Sequence, residues 1–157
     1  MPYTLADIRA LAPRHVGSTA LSRRPDIQKA YEQHISEQKG LYGSTKDYIL
    51  HRIFELPLHT ENGKKCVAPY PEPMWRVVLN QFPYDLASGL EHWNVWYSEP
   101  YRDYVQAAAI AERVFKGREY VWFANIEKHM SLPACFHIHV IVRGVSETSL
   151  HGGLQPR

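Results

Sequence analysis

The sequence predicts an α+β domain: a helical N-terminal segment, then an antiparallel sheet with one long helix packed on it. Three observations lead there. Up to residue 56, apolar residues recur at helical spacing behind residues that cap helices. From Trp75 onward, β-branched and aromatic residues gather in short runs bounded by turn residues. Between the second and third of those runs lies an amphipathic stretch long enough to cover a sheet.

Thr4 and Asp7 stand at capping-box spacing, which predicts a short helix through Leu11. Pro25 suits the first position of a second helix, whose inward face would be Ile27, Ala30, Tyr31 and Ile35. Gly40 to Gly43 ends it, and Ser44 caps a third, with Tyr48, Ile49, Ile53 and Phe54 as its stripe. A Pro-rich crossing from Pro57 to Pro73 includes Asn62-Gly63, a hairpin signal. Strands are expected at Trp75–Leu79 and His92–Tyr97. A fourth helix follows from about Pro100 to Lys116, with Gly117 as its stop. Tyr120–Ala124 and Phe136–Arg143 complete the strands. The expected organisation is one domain over residues 1–145, with its helical segment at 1–56, its sheet and helix at 74–143, and a flexible tail at 146–157.

Composition narrows the partners. At 157 residues, 45% hydrophobic and 22% charged, the chain has the make-up of a globular domain. A net charge of +2, with no basic stripe interleaved with aromatics, argues against nucleic acid. No apolar run reaches membrane-spanning length, and Met1-Pro2-Tyr3-Thr4 does not open like a signal peptide, so a cytoplasmic protein with no membrane partner is expected. Two cysteines in unlike contexts exclude a disulfide framework and a four-Cys zinc site. Four Trp and ten Tyr point to an aromatic-rich core or a pocket wall, to which Trp93, Trp96 and Trp122 would belong.

The sharpest signal is Cys135-Phe136-His137-Ile138-His139-Val140-Ile141. Strand alternation puts Cys135, His137, His139 and Ile141 on one face and Phe136, Ile138, Val140 and Val142 on the other. The second set is wholly apolar and belongs against the core. Two imidazoles then stand roughly 7 Å apart on the opposite face. Burying them there is costly unless that face opens on a cleft or supplies partners. Three chemistries fit: nucleophilic attack on phosphorus, metal binding completed by His92, His129 or Glu127, and general acid–base work on a small organic substrate. Spacing alone does not choose among them.

Leu79-Asn80-Gln81-Phe82-Pro83-Tyr84, followed by Glu91-His92-Trp93, resembles the pattern that precedes the catalytic strand of the histidine-triad (HIT-like) nucleotide-binding superfamily. Cys135 to Arg143 resembles that strand register for register, with Cys135 in place of the first histidine. Over nearly its whole length the chain also resembles an uncharacterised, mainly fungal family that includes proteins labelled N-acetylglucosamine-induced protein 1. Leu21-Ser22-Arg23-Arg24, Tyr42-Gly43-Ser44, Asn80 to Tyr84, Gly89 to Trp93 and Trp122 to Asn125 carry that likeness.

The resemblance implies roles. His137 sits where a triad enzyme forms its covalent intermediate, His139 at the third triad position, and His92 where a separate upstream histidine supports the triad. On the substrate side it implies Asn80 near ribose, Asn125 as the polar residue upstream of the triad, and Ser131 as the phosphate-contacting hydroxyl. Tyr84 at its turn and Arg143 at the strand end are further candidates for contact with substrate, and Arg23 and Arg24 stand where the helical segment could approach the cleft. Cys135 cannot relay a proton as an imidazole does and reads as a small buried hydrophobe. Many members of the superfamily are dimers, so a homodimer is the implied assembly. The leading expectation is a hydrolase or transferase acting on a phosphate-bearing or nucleotide-like small molecule, with no cofactor and no metal. The alternatives are a biosynthetic lyase, isomerase or cyclase using His137 and His139 as acid and base, and a non-catalytic binding module.

Overall fold

The computed structural model of the protein describes residues 1–17, 21–100, 104–125 and 135–144. Among them are four α-helices and two sheets, the mixed α+β arrangement that the sequence pattern calls for. Helix α1 (Leu5–Leu11) begins with the expected reciprocal Thr4–Asp7 capping box. Helix α2 (Pro25–Lys39) opens on Pro25, and α3 (Thr45–Arg52) is capped by the Ser44 hydroxyl, which accepts from the Asp47 N–H. The Asn62-Gly63 turn joins β2 (Leu58–Glu61) to β3 (Lys64–Val67) as a separate hairpin, with both turn residues at positive φ as such turns require.

The main sheet holds β1 (Val16–Gly17), β4 (Trp75–Leu79), β5 (Leu90–Tyr97), β6 (Tyr120–Asn125) and β7 (His137–Arg143) in the order β1-β6-β7-β5-β4. The histidine strand β7 is therefore central. Every pairing is antiparallel except that of β1, which lies parallel to β6 at the edge. The helical reading of residues 1–56 misses this strand. Two residues are too short for any alternation to announce them, and Arg14 and His15, both at positive φ, turn the chain onto the sheet edge.

Helix α4 (Tyr104–Phe115) covers one face. Its Ala107, Ile110, Ala111 and Phe115 pack with Phe136, Ile138, Val140 and Val142 of β7 and with Trp75, Val77, Trp93 and Val95 in one apolar core. The other face is divided. Leu5 and Ile8 of α1 close over Val121, Phe123 and Ile141, while Ile49 and Leu50 of α3, with Phe54 beyond its end, close over Trp96 and Cys135. The buried polar residues of the sheet lie between these two apolar patches. Helix α2 buries none of its residues, and Ala30 of the expected inward face is exposed. Its Tyr31, His34 and Ile35 look onto open space instead of core.

Candidate active site

Register assembles the site. Pairing sets Val78, Asn94, His139 and Phe123 in one row across β4, β5, β7 and β6. A neighbouring row holds Arg76, Trp96 and His137, and another brings His92 beside Ile141. Period-two alternation then points His92, Asn94 and Trp96 of β5 to the same side as His137 and His139 of β7. All five are buried.

Buried imidazoles and amides need partners, and these have them. His139 Nδ1 lies 2.8 Å from His92 Nε2 and 3.2 Å from Asn94 Nδ2. Its Nε2 lies 3.3 Å from the Asn125 side-chain amide, which is also 3.3 Å from the Tyr84 hydroxyl. The Tyr84 N–H donates to His92 Nδ1 at 3.3 Å, and the Tyr84 ring stacks on His92 with 4.5 Å between centroids. Asn80 donates to Asn94 Oδ1 at 2.8 Å, and Phe123 stacks on His139 at 5.1 Å. Both ring nitrogens of His139 are thus engaged.

His137 is arranged differently. It stacks on Trp96, with 4.2 Å between centroids, and its Nδ1 lies 3.4 Å from the Cys135 carbonyl, to which it donates. Its Nε2 has no hydrogen-bond partner among the described residues. Burial holds the His137 pKa down at about 4. Burial, helped by the charges of Arg23 and His137, holds His92 at about 3, and the same causes with His92 added keep His139 well below the usual range. At neutral pH all three rings are uncharged.

His137 and His139 form part of the wall of a cavity of about 260 Å³ between the sheet and helices α2 and α3. Asn80, Asn94 and Trp96 line it from the sheet side, and Tyr31, His34 and Tyr48 from the helices. Two guanidiniums, Arg23 and Arg52, also face it, and no carboxylate does among the described residues. Neither arginine has an ion-pair partner among the described residues. Arg23 is held in place: its Nε donates to the Phe82 carbonyl at 2.7 Å, and its guanidinium lies 4.1 Å over the Tyr31 ring.

The structure gathers His137, His139, His92, Asn80, Tyr84 and Asn125 into one connected group. It does not bring Arg143 there. At the far end of β7 that side chain is exposed and pairs with Glu119, because the strand runs away from the cavity after His139. Arg24 also misses it and pairs with Asp26. Ser131, Glu127 and His129 lie outside the described residues, as does the tail from 146. Cys135 is buried, and burial pushes its thiol up to about 12, in keeping with a packing role. No group of three His, Cys, Asp or Glu among the described residues has the geometry to hold a metal ion. No helix among them is long and apolar enough to cross a membrane. Sequence reading passed over Asn94 and Arg52. Asn94 carried a signal, as the polar residue midway between His92 and Trp96 on a strand otherwise apolar and aromatic there. Arg52 carried none, because its place depends on how α3 docks.

The family model described as a protein of unknown function (DUF3605) matches residues 14–114, well over half of the chain. That span includes Arg23, Asn80, His92 and Asn94 and ends before β6. Comparison with curated proteins gives no match. Among solved structures, the crystal structure of HTC1 is similar in fold, with a TM-score of 0.61 at 19% sequence identity over 99% of each chain.

Proposed function

The chain belongs to the DUF3605 family, and from that premise we propose that it is a histidine-triad-like enzyme acting on a phosphate-bearing or nucleotide-like small molecule, with His137 as nucleophile. The observation that carries this reading is the company His137 keeps. Among the described residues, a neutral imidazole with no partner on Nε2 shares a cavity with two guanidiniums that form no ion pair, and with no carboxylate. Such a cavity favours an anion, and Arg in particular favours phosphate oxygens. The geometry also suits the chemistry. Because Nδ1–H is already donated to the Cys135 carbonyl, Nε2 needs no base to attack. Attack forms an N–P bond while the bond from phosphorus to the leaving group breaks, and that group departs with the electron pair and takes a proton from water. The positive imidazolium formed on His137 is met by the carbonyl at Nδ1. Water then attacks phosphorus, the N–P bond returns its pair to Nε2, and the released proton goes to solvent.

The Cys135 thiol takes no part in this step, since it stays protonated and faces the α3 cluster; only the carbonyl of that residue does. A second reading, a lyase, isomerase or cyclase using His137 and His139 as base and acid, draws support from the aromatic wall of Tyr31, Phe82 and Trp96. It asks His139 to exchange a proton, although both nitrogens of that ring are engaged. The nucleophilic reading needs only His137. The test is a panel of nucleoside phosphoramidates, nucleotides and sugar phosphates followed for turnover and for thermal stabilisation. His137→Ala should abolish turnover and keep the stabilisation. Intact turnover in that variant overturns the proposal. A His137- and His139-dependent conversion of a substrate without phosphate selects the second reading, and ligand binding with no turnover in the native protein leaves a binding module.

A further inference from the structure

We propose that Asn94, set by Asn80, is a positioning residue that locks His139 as an Nε2–H imidazole and leaves His137 as the one reactive ring of the site.

The proton count starts at the backbone, where the donors are fixed. The Tyr84 N–H points at His92 Nδ1, so that nitrogen is bare and a neutral His92 carries its hydrogen on Nε2. That Nε2–H donates to His139 Nδ1 at 2.8 Å. A second chain starts two residues earlier. The Phe82 N–H donates to Asn80 Oδ1 at 2.8 Å, which sets which end of the Asn80 amide is the acceptor. Asn80 Nδ2 therefore donates to Asn94 Oδ1, and this in turn presents Asn94 Nδ2 to His139 Nδ1 at 3.2 Å. Two chains that begin at different amides of one turn end on the same lone pair.

His139 Nδ1 is thus an acceptor, and the ring hydrogen sits on Nε2. That hydrogen needs an acceptor of its own. The Asn125 amide supplies one only when its oxygen, not its nitrogen, faces the ring; the two settings differ by a half turn. The Tyr84 hydroxyl, equally near the same amide atom, then donates to that oxygen as well. With this setting the ring hydrogens of His92 and His139 both have acceptors. His139 accepts twice at one nitrogen and donates at the other, which leaves it no proton to give and no lone pair to offer a ligand.

The tautomer stands on the hydrogen-bond geometry and on the neutrality that burial imposes on the rings, and its consequence for turnover rests on the function proposed above. Two-bond ¹H–¹⁵N spectra of ¹⁵N-histidine-labelled protein distinguish a protonated from a bare ring nitrogen. At pH 7, His92 and His139 should each show a bare Nδ1 and a protonated Nε2. Asn94→Asp places a carboxylate oxygen against His139 Nδ1 and should move the hydrogen there. Asn80→Asp keeps the acceptor for the Phe82 N–H but cannot donate to Asn94, so the Asn94 amide should turn its oxygen to His139 Nδ1. The new carboxylate, standing where Asn80 Nδ2 lies 3.5 Å from His92 Nε2, takes the His92 hydrogen, and His139 should then carry its own on Nδ1 without having been touched. Asn80 is only half-buried, so this variant carries the test should Asn94→Asp fail to fold. A protonated Nδ1 on His139 in the native protein overturns the proposal. So does an unchanged His139 pattern in folded Asn80→Asp. Correct tautomers without His137-dependent turnover would refute the proposed function and not this inference, and the reverse pairing would refute this inference alone.

Discussion

Alternate residues of β7 look into two unlike interiors. Towards α4 the strand presents Phe136, Ile138, Val140 and Val142, which pack against aliphatic and aromatic neighbours. Towards α2 and α3 it presents His137 and His139, also buried but set among amides, other rings and a cavity. The first face depends on volume, since any well-packed set of methyl groups satisfies it. The second depends on pairing, since each buried nitrogen needs its own donor or acceptor. One face holds the fold together, and the other pairs both nitrogens of His139 while leaving His137 Nε2 without a partner among the described residues.

The largest expected effect lies on the apolar face. Ile138→Ala should lose about 2–5 kcal/mol of stability, because a fully buried side chain leaves a void that cannot collapse. His137→Ala should lose clearly less, since its ring borders open space and makes one long hydrogen bond. Denaturant unfolding of both variants checks this, and equal losses would break the comparison.

Acid should act on the histidine face alone. In the folded protein His137 titrates at about 4 and His92 at about 3. In the unfolded chain both titrate near the ordinary value of about 6.5. The unfolded state therefore binds protons first as pH falls. Stability contributed by the neutral rings is complete above about pH 6.5 and drains away through pH 4 and on toward 3, by an amount on the order of a few kcal/mol. A denaturant midpoint that stays flat from pH 7 to 4 would show that the rings are not held neutral.

The smallest effect on stability is expected at Arg23. Arg23→Gln gives up the contact with Tyr31 and the bond to the Phe82 carbonyl, about 1–2 kcal/mol together. It should nonetheless abolish most of the thermal stabilisation by inorganic phosphate or nucleoside monophosphates. Undiminished stabilisation would place anion binding elsewhere.

Much of this contrast was legible in the chain. Alternation in Phe136 to Val142 separated the apolar face from the imidazole face, and the caps at Thr4 and Ser44 marked where helices begin, because both signals are local. What escaped depends on contacts between distant segments. Asn94 gains its importance only when β5 pairs with β7 in one register, which sets it opposite His139. Arg23 and Arg52 meet at the cavity only when α2 and α3 dock over the sheet. Ala30 fell on the expected inner stripe of α2, but α2 roofs a cavity and buries no complete face. Arg143 ended outside the site because it lies at the far end of the same strand that carries the histidines.

The central claim is that, of three buried imidazoles, only His137 offers a bare and reachable nitrogen. Diethyl pyrocarbonate acylates such nitrogens, and peptide mapping by mass spectrometry reports each histidine separately. In the native protein His137 should be labelled well before His92 and His139, and inorganic phosphate in the cavity should slow that labelling. Labelling of His139 or His92 as fast as His137, or a His137 rate indifferent to phosphate, would contradict the account.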